Sequence, residues 1–189
     1  IIVVDANSQD HTLSVLEKYE SYIYRVYFVT QTDLSFMCNK GASLATGEYI
    51  SFVFPGRTSL SHFTMYHISM LIEDKDFPDL IYGATYVEDR LKEEPSSQAL
   101  PLNKQNLRKG IFPTHTSCLW FKLASFKKLG GMKSFYALGV HQNCLFRKGI
   151  FFWQPARQMI FDLLCRLYKS KNVRVASTPR AFLYYSFKV

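Results

Sequence analysis

Short apolar runs alternate with amphipathic segments along the first half of the chain. Four runs have the length and the β-branched or aromatic composition of strands: 1–4, 22–29, 48–54 and 80–87. Three intervening segments carry apolar residues at helical spacing: 10–19, 34–45 and 59–72. Alternating strands and helices predict βαβ units. We therefore expect an α/β fold whose mixed, mostly parallel sheet has helices on both faces.

The second half of the chain is less regular. Residues 88–102 are polar and rich in proline and serine, which predicts a surface loop. Four further elements are expected: a strand at 114–121, helices at 123–129 and 159–168, and a short strand at 173–175.

Composition narrows the class of protein. The 189 residues are 48% hydrophobic and 20% charged, as in globular proteins. The sequence contains no run of about 18 apolar residues, so it predicts no membrane-spanning helix. The net charge of +8 favours phosphate-bearing ligands such as nucleotides or anionic lipids. Nucleic acid is not an expected partner, because no nucleic-acid-binding motif accompanies the charge. Without a targeting signal the expected location is the cytoplasm, with peripheral attachment to an anionic membrane as an option.

Metal-binding motifs do not stand out. The four cysteines include no C-x-x-C pair, and the five histidines include no H-E-x-x-H motif. The sequence therefore predicts no zinc site.

Asp5 ends the first predicted strand and is followed by turn residues. Ligands bind open α/β sheets at the carboxyl ends of strands. The carboxylate is thus a candidate for contact with a base or ribose, and Asn7 could add hydrogen bonds. The same residues equally describe a turn that precedes a helix.

The order of motifs adds a family resemblance. Residues 1–12, IIVVDANSQDHT, resemble the IVVDDGSTDGT block of family 2 glycosyltransferases. Residues 39–52, NKGASLATGEYISF, are similar to that family's RNKGxxxAxGEYIxFLD block, and the interval between the blocks is similar too. FKLASFKKLGG at 121–131 and the helix at 163–167 resemble later stretches of the family.

The resemblance implies a Rossmann-like GT-A fold that holds a nucleotide-sugar. On this basis 1–189 form a single GT-A-like domain, with 1–87 as its nucleotide-binding half and 88–189 as its acceptor-side half. Family members begin with a VSVIIPTYN block that is absent here, so we expect a sheet that is incomplete at the amino terminus. The implied activity is inverting transfer of a sugar, from a UDP-sugar, to a glycan, lipid or protein acceptor. The alternative is a catalytically inactive binding or scaffold module.

The resemblance also assigns residues to the nucleotide. Asp5 matches the acid that contacts the nucleobase, and Asn39 matches the turn before the helix of the second block. Cys38 replaces the family's usual arginine. The family's Asp-x-Asp, which holds Mn²⁺ or Mg²⁺, is replaced by Phe-Pro-Gly-Arg at 54–57, so the expected metal lacks its ligands. Arg57 could instead pair with the diphosphate without a metal, or be an ordinary surface arginine.

An inverting transferase needs a general base. The family's base lies six residues before an arginine that corresponds to Arg166. Ile160 stands at the base position in this chain, and its apolar side chain cannot accept a proton. Asp162 is the nearby candidate, or a carboxylate on the helix surface. His115 resembles a histidine of some members, where it could contact phosphate or acceptor, or could hydrogen-bond to backbone.

Overall fold

The computed structural model describes residues 1–54, 58–88, 96–134 and 155–186. The strands are β1 (Ile2–Asp5), β2 (Arg25–Phe28), β3 (Tyr49–Ser51), β4 (Thr58–Leu60), β5 (Leu80–Glu88), β6 (Ser96–Gln98), β7 (Leu119–Lys122) and β8 (Val175–Ser186). The α-helices are α1 (Thr12–Lys18), α2 (Leu34–Leu44), α3 (Thr64–Asp74), α4 (Lys104–Arg108), α5 (Leu123–Lys128) and α6 (Pro155–Lys169). Short 3₁₀ turns lie at Glu20–Tyr22 and Thr116–Cys118.

The strands form two sheets. β1 and β2 make a parallel pair, in register from Ile2 opposite Arg25 to Asp5 opposite Phe28. The larger sheet has the order β3-β7-β5-β8-β4, and β6 adds to the far end of β5. β5 is its centre, because it pairs parallel to β8 and antiparallel to β7 and β6.

Helices cover both faces of the larger sheet. Leu80 and Tyr82 of β5 face one apolar cluster, whereas Ile81, between them, faces the other. The first cluster includes residues of α2, α5 and α6, and the second includes Ile68 of α3. A strand buried on both faces is apolar without interruption, as β5 is from Leu80 to Tyr82.

The predicted fold class, α/β with helices on both faces, is confirmed, but the balance of strand directions differs. Of the six strand pairs in the described residues, four are antiparallel and two are parallel. The antiparallel pairs arise from β7, which returns beside β5, and from the short strands β4 and β6. The local pattern that predicts a strand does not encode its direction, so these pairings were beyond the sequence analysis.

Several boundaries also differ. The loop predicted at 88–102 contains β6, and the strand predicted at 114–121 begins as a 3₁₀ turn and becomes extended only at Leu119. The last strand is much longer than predicted, because β8 continues past Pro179. Its register against β5 shifts there, from Gly83 opposite Thr178 to Ala84 opposite Ala181, so the proline lies outside the ladder.

None of the helices in the described part of the chain is long and apolar enough to cross a bilayer.

Candidate functional site

Asp5 lies at the carboxyl end of β1, where the chain turns sharply. Its side chain is only 6% exposed. Oδ2 accepts the backbone N–H of Ser8 at 2.9 Å, and Oδ1 accepts the Ser8 hydroxyl at 2.5 Å. Asn7, inside this turn, has a left-handed backbone with φ of 62° and an exposed side chain. The turn thus fixes the orientation of the Asp5 carboxylate and presents Asn7 beside it.

The side chain of Asn39 is hydrogen-bonded to a turn that is distant in the sequence. Its Nδ2 donates to the backbone oxygen of Met132 at 2.8 Å, and its Oδ1 accepts the Met132 N–H at 2.8 Å. This pair joins the middle of α2 to the segment that follows α5. The structure therefore gives Asn39 a structural role, and its predicted contact with a nucleotide stays a prediction.

The amino end of α2 is fixed to the same segment. Asp33 caps the helix by accepting the N–H groups of Ser35 and Phe36, and its Oδ2 accepts the Ser134 hydroxyl at 2.7 Å. The Ser35 hydroxyl, first, and then the Ser134 hydroxyl lower the pKa of Asp33 to about 2. Sequence reasoning missed this residue, although an aspartate just before an amphipathic segment is a helix-cap signal.

Cys38 lies on the buried face of α2. Burial, and then the charge of Asp33, raise the pKa of its thiol to about 12. The side chain is therefore neutral at physiological pH and offers no charge to a phosphate.

Asp162 and Arg166 form an ion pair one turn apart on α6. Arg166 Nε donates to Asp162 Oδ2 at 2.7 Å, and both side chains are less than a fifth exposed. The guanidinium also donates to the backbone oxygens of Leu129 and, at 2.8 Å, Gly131. Asp162 thus orients the arginine that anchors α6 to the turn after α5. Ile160, which the sequence resemblance equates with the family's base, is fully buried.

His115 belongs to a polar network beside the carboxyl half of β5. Its backbone N–H donates to Thr85 Oγ1 at 3.1 Å, and its Nδ1 accepts the N–H of Ser117 at 3.2 Å. Thr85 Oγ1 is also 3.0 Å from the hydroxyl of Thr114, which donates to the Gly83 oxygen at 2.7 Å. The network fixes the ring of His115 at this edge of the sheet.

The described part of the chain does not assemble a donor set for a divalent cation. Among residues 1–54, 58–88, 96–134 and 155–186, no three His, Cys, Asp or Glu side chains come together as metal ligands. Arg57 lies outside the described residues. The described side chains therefore do not fit a Mn²⁺ or Mg²⁺ site, and we derive no chemistry through one.

Comparison with known proteins agrees with this architecture. The sequence model of glycosyl transferase family 2 matches residues 1–53. A structure of S. aureus TarS 1-349 in complex with UDP superposes with a TM-score of 0.65 over 99% of this chain, at 16% identity. A mannosyltransferase from Pyrobaculum calidifontis, in complex with GDP-Man and Mn²⁺, superposes with a TM-score of 0.52 over 98% of the chain, at 14% identity. The fold is family 2 glycosyltransferase-like.

The predicted GT-A fold is thereby confirmed. The chain spans 51% of that TarS structure and 46% of the mannosyltransferase. No curated protein sequence matches the chain at a significant level.

The predicted site residues lie in three different parts of the structure. Asp5 and Asn7 share one turn, and His115 sits in a separate network. Asn39 bonds directly to the turn after α5, whereas Asp162 acts on that turn only through Arg166. Sequence reasoning missed the contacts of Asn39 with Met132 and of Arg166 with Gly131, because both partners contribute only backbone atoms, which no motif marks.

Proposed function

We propose that this chain binds a nucleotide-sugar at the carboxyl end of β1 and belongs to a glycosyltransferase-like protein with a UDP-sugar donor. The observation that carries the proposal is the buried carboxylate of Asp5. Each carboxylate oxygen accepts one hydrogen bond from Ser8 and retains a further lone pair. A poorly hydrated carboxylate gains from another donor, and the ring N–H of uracil is such a donor. The UDP complex of TarS, which has the same fold, supports this choice.

The proposed reaction is inverting transfer. The hydroxyl oxygen of a glycan, lipid or protein acceptor forms a bond to the anomeric carbon, while the bond from that carbon to the diphosphate breaks. UDP leaves with the electron pair, and a general base takes the hydroxyl proton. Within the described residues the candidate base is Asp162, which is held in its pair with Arg166.

A second candidate function is a binding module without transferase activity. It is favoured by the burial of Ile160 at the position of the family's base and by the ion pair of Asp162. Such a module would keep the nucleotide site and lose the chemistry.

Calorimetric titration of the full-length protein with UDP tests the proposed site. We expect binding that is the same with Mn²⁺ as with a chelator, because the described residues do not assemble a metal site. Asp5→Asn, which keeps one acceptor for Ser8 but removes the charge, should weaken binding by about tenfold or more. Asp10→Asn removes an exposed aspartate five residues away and is the matched control. Unchanged affinity in the folded Asp5 variant would contradict the site.

UDP release separates the two candidate functions. A transferase incubated with UDP-sugars and a mixture of acceptors should release UDP above the level of its Asp5→Asn variant. Tight UDP binding without any release over the same panel would favour the binding module.

Attachment to membranes is a separate proposal. The excess of basic residues in the second half of the chain favours contact with anionic lipids. Co-sedimentation with phosphatidylserine vesicles that vanishes at high salt would support it, and equal binding to neutral vesicles would contradict it.

A further inference from the structure

Apolar side chains line the outer face of α3 as well as its inner face. Thr64 and Ile68 are the buried residues of this helix, and they face the larger sheet at β8. On the side away from the sheet, Phe63, Tyr66 and Met70 follow each other at spacings of three and four residues and form one stripe. These three side chains are 66%, 58% and 51% exposed. A surface helix of a monomer ordinarily presents polar residues on that side.

The α3 stripe (Phe63, Tyr66 and Met70) is continuous and large enough to be part of an interface. The ring of His67 lies 6.5 Å from the ring of Phe63 and 5.5 Å from that of Tyr66, so the side chains leave no gap along the helix. Its exposed apolar surface is on the order of 300 Å², the size of the largest patch on a typical monomer. Two such stripes with the charged residues around them would bury on the order of 1,000 Å², which is typical of weak, reversible complexes.

The two halves of the α3 stripe are flanked by opposite charges. Glu73 and Asp74 lie at the carboxyl end of α3, where negative charge is unfavourable to the helix's own dipole. Arg180 of β8 lies near the amino-terminal half, because burial, first, and then the charge of Arg180 lower the pKa of His67. Both Glu73 and Arg180 are exposed, and neither has an ion-pair partner in the part of the chain that the structure describes.

We propose that α3 is the interface of a homodimer in which the stripes of two copies pack antiparallel about a two-fold axis. Met70 is three residues from both His67 and Glu73, so an axis near Met70 places these two opposite each other. Arg180, beside His67, then faces Glu73 of the second copy, and the two helix dipoles are antiparallel. A parallel arrangement would bring the two acidic ends together. An anionic membrane fits this face less well, because it would repel the carboxylates that border the stripe.

The proposed interface leaves the proposed nucleotide site open. α3 covers the face of the larger sheet that holds the second apolar cluster, whereas α2, which packs against β1, contributes to the first cluster. The dimer therefore does not depend on nucleotide binding at Asp5, and either proposal can fail without the other.

Sedimentation velocity of the full-length protein tests the dimer. Between about 5 and 300 µM we expect the sedimentation coefficient to rise, with a micromolar dissociation constant that suits a small interface. Met70→Glu places a charge near the axis, beside the same charge of the second copy, and should raise the dissociation constant by about tenfold or more. Met65→Glu is the matched control, because Met65 is 62% exposed on the same helix but points about 140° away from Met70. It should change the dissociation constant by less than about twofold.

Reversal of charges tests the antiparallel orientation. Arg180→Glu or Glu73→Arg alone opposes like charges across the interface and should weaken association several-fold, whereas the double variant restores an attractive pair and should recover most of the loss. Circular dichroism checks that each variant is folded. A double variant no better than either single variant would overturn the antiparallel arrangement.

Two results would overturn the dimer itself. One is a protein that stays monomeric over the whole concentration range, and the other is a dimer that Met70→Glu and Met65→Glu weaken equally. If the monomer instead bound lipid vesicles and lost them in Met70→Glu alone, the stripe would be assigned to a membrane.

Discussion

Replacement of Gly131 by alanine should destabilise the protein far more than the same change at Gly130. Both glycines have left-handed backbones, with φ of 67° and 80°, so each alanine pays a conformational penalty of about 1–2 kcal/mol. Only at Gly131 would the new methyl group collide with a neighbour, because its Cβ would lie 2.4 Å from Asn39 Oδ1, whereas Gly130 has nothing within 4 Å. Asn39 can move away only by breaking its two bonds to Met132, which together contribute about 2 kcal/mol.

We therefore expect losses in the free energy of unfolding of about 3–4 kcal/mol for Gly131→Ala and about 1–2 kcal/mol for Gly130→Ala. Urea denaturation at 25 °C, followed by circular dichroism, measures both values. The cause is isolated by repeating the two substitutions in an Asn39→Ala background, where the obstructing amide is gone and the two losses should become equal. Equal losses in the unaltered background would refute the steric argument, and an undiminished difference without Asn39 would assign it to another contact.

Three further outcomes follow from the contacts. Gly83→Ala should lower stability by about 3 kcal/mol in urea denaturation, because its Cβ would lie 2.3 Å from the ring of the fully buried Phe182; a neutral effect would contradict that packing. Asp33 has a folded-state pKa near 2, below its ordinary value of 3.8, so its contribution to stability is complete above pH 4 and lost as the pH falls toward 2. The unfolding midpoint should accordingly drop more steeply over that window than in Asp33→Asn, and parallel curves would refute the role. Asp162→Asn should lower stability by about 1–2 kcal/mol through the weakened contact with Arg166 and leave UDP affinity unchanged, as denaturation and calorimetry would show.

The pattern of apolar and polar residues predicted those elements that are stabilised by residues within the same segment. Helix α2 was expected at 34–45 and is found at Leu34–Leu44, because its apolar spacing and the Thr46-Gly47 stop act within the segment itself. β8 shows the opposite case. Its polar residues and Pro179 indicate an end to the strand, yet it continues to Ser186 because β5 on one side and β4 on the other provide partners. Those partners are distant in the sequence and leave no mark on the local pattern.

The candidate site divides in the same way. The turn at Asp5 is closed by a residue only three positions away, and the sequence analysis named both the acid and the turn. The role of Asn39 depends on backbone atoms of Met132, 93 residues further on. A side chain that binds a distant main chain has no residue-type signature at its partner, so the family motif gave no indication of this structural contact.

The contacts of Asp162 also bear on whether this domain transfers sugar. Asp162 lies two residues after Ile160, so it projects from a different side of α6 than the family's base would. To place Asp162 where Ile160 lies, α6 would have to rotate, which would withdraw Arg166 from the oxygens of Leu129 and Gly131 and expose buried core. Such a rotation would break the contacts that hold α5, α6 and α2 together. A role for Asp162 as the general base would therefore require the packing of α6 to change. The proposed nucleotide binding at Asp5 would require no such change. For this reason the two proposed activities are separable, and the UDP binding that we propose should survive in Asp162→Asn whether or not a base is supplied from elsewhere.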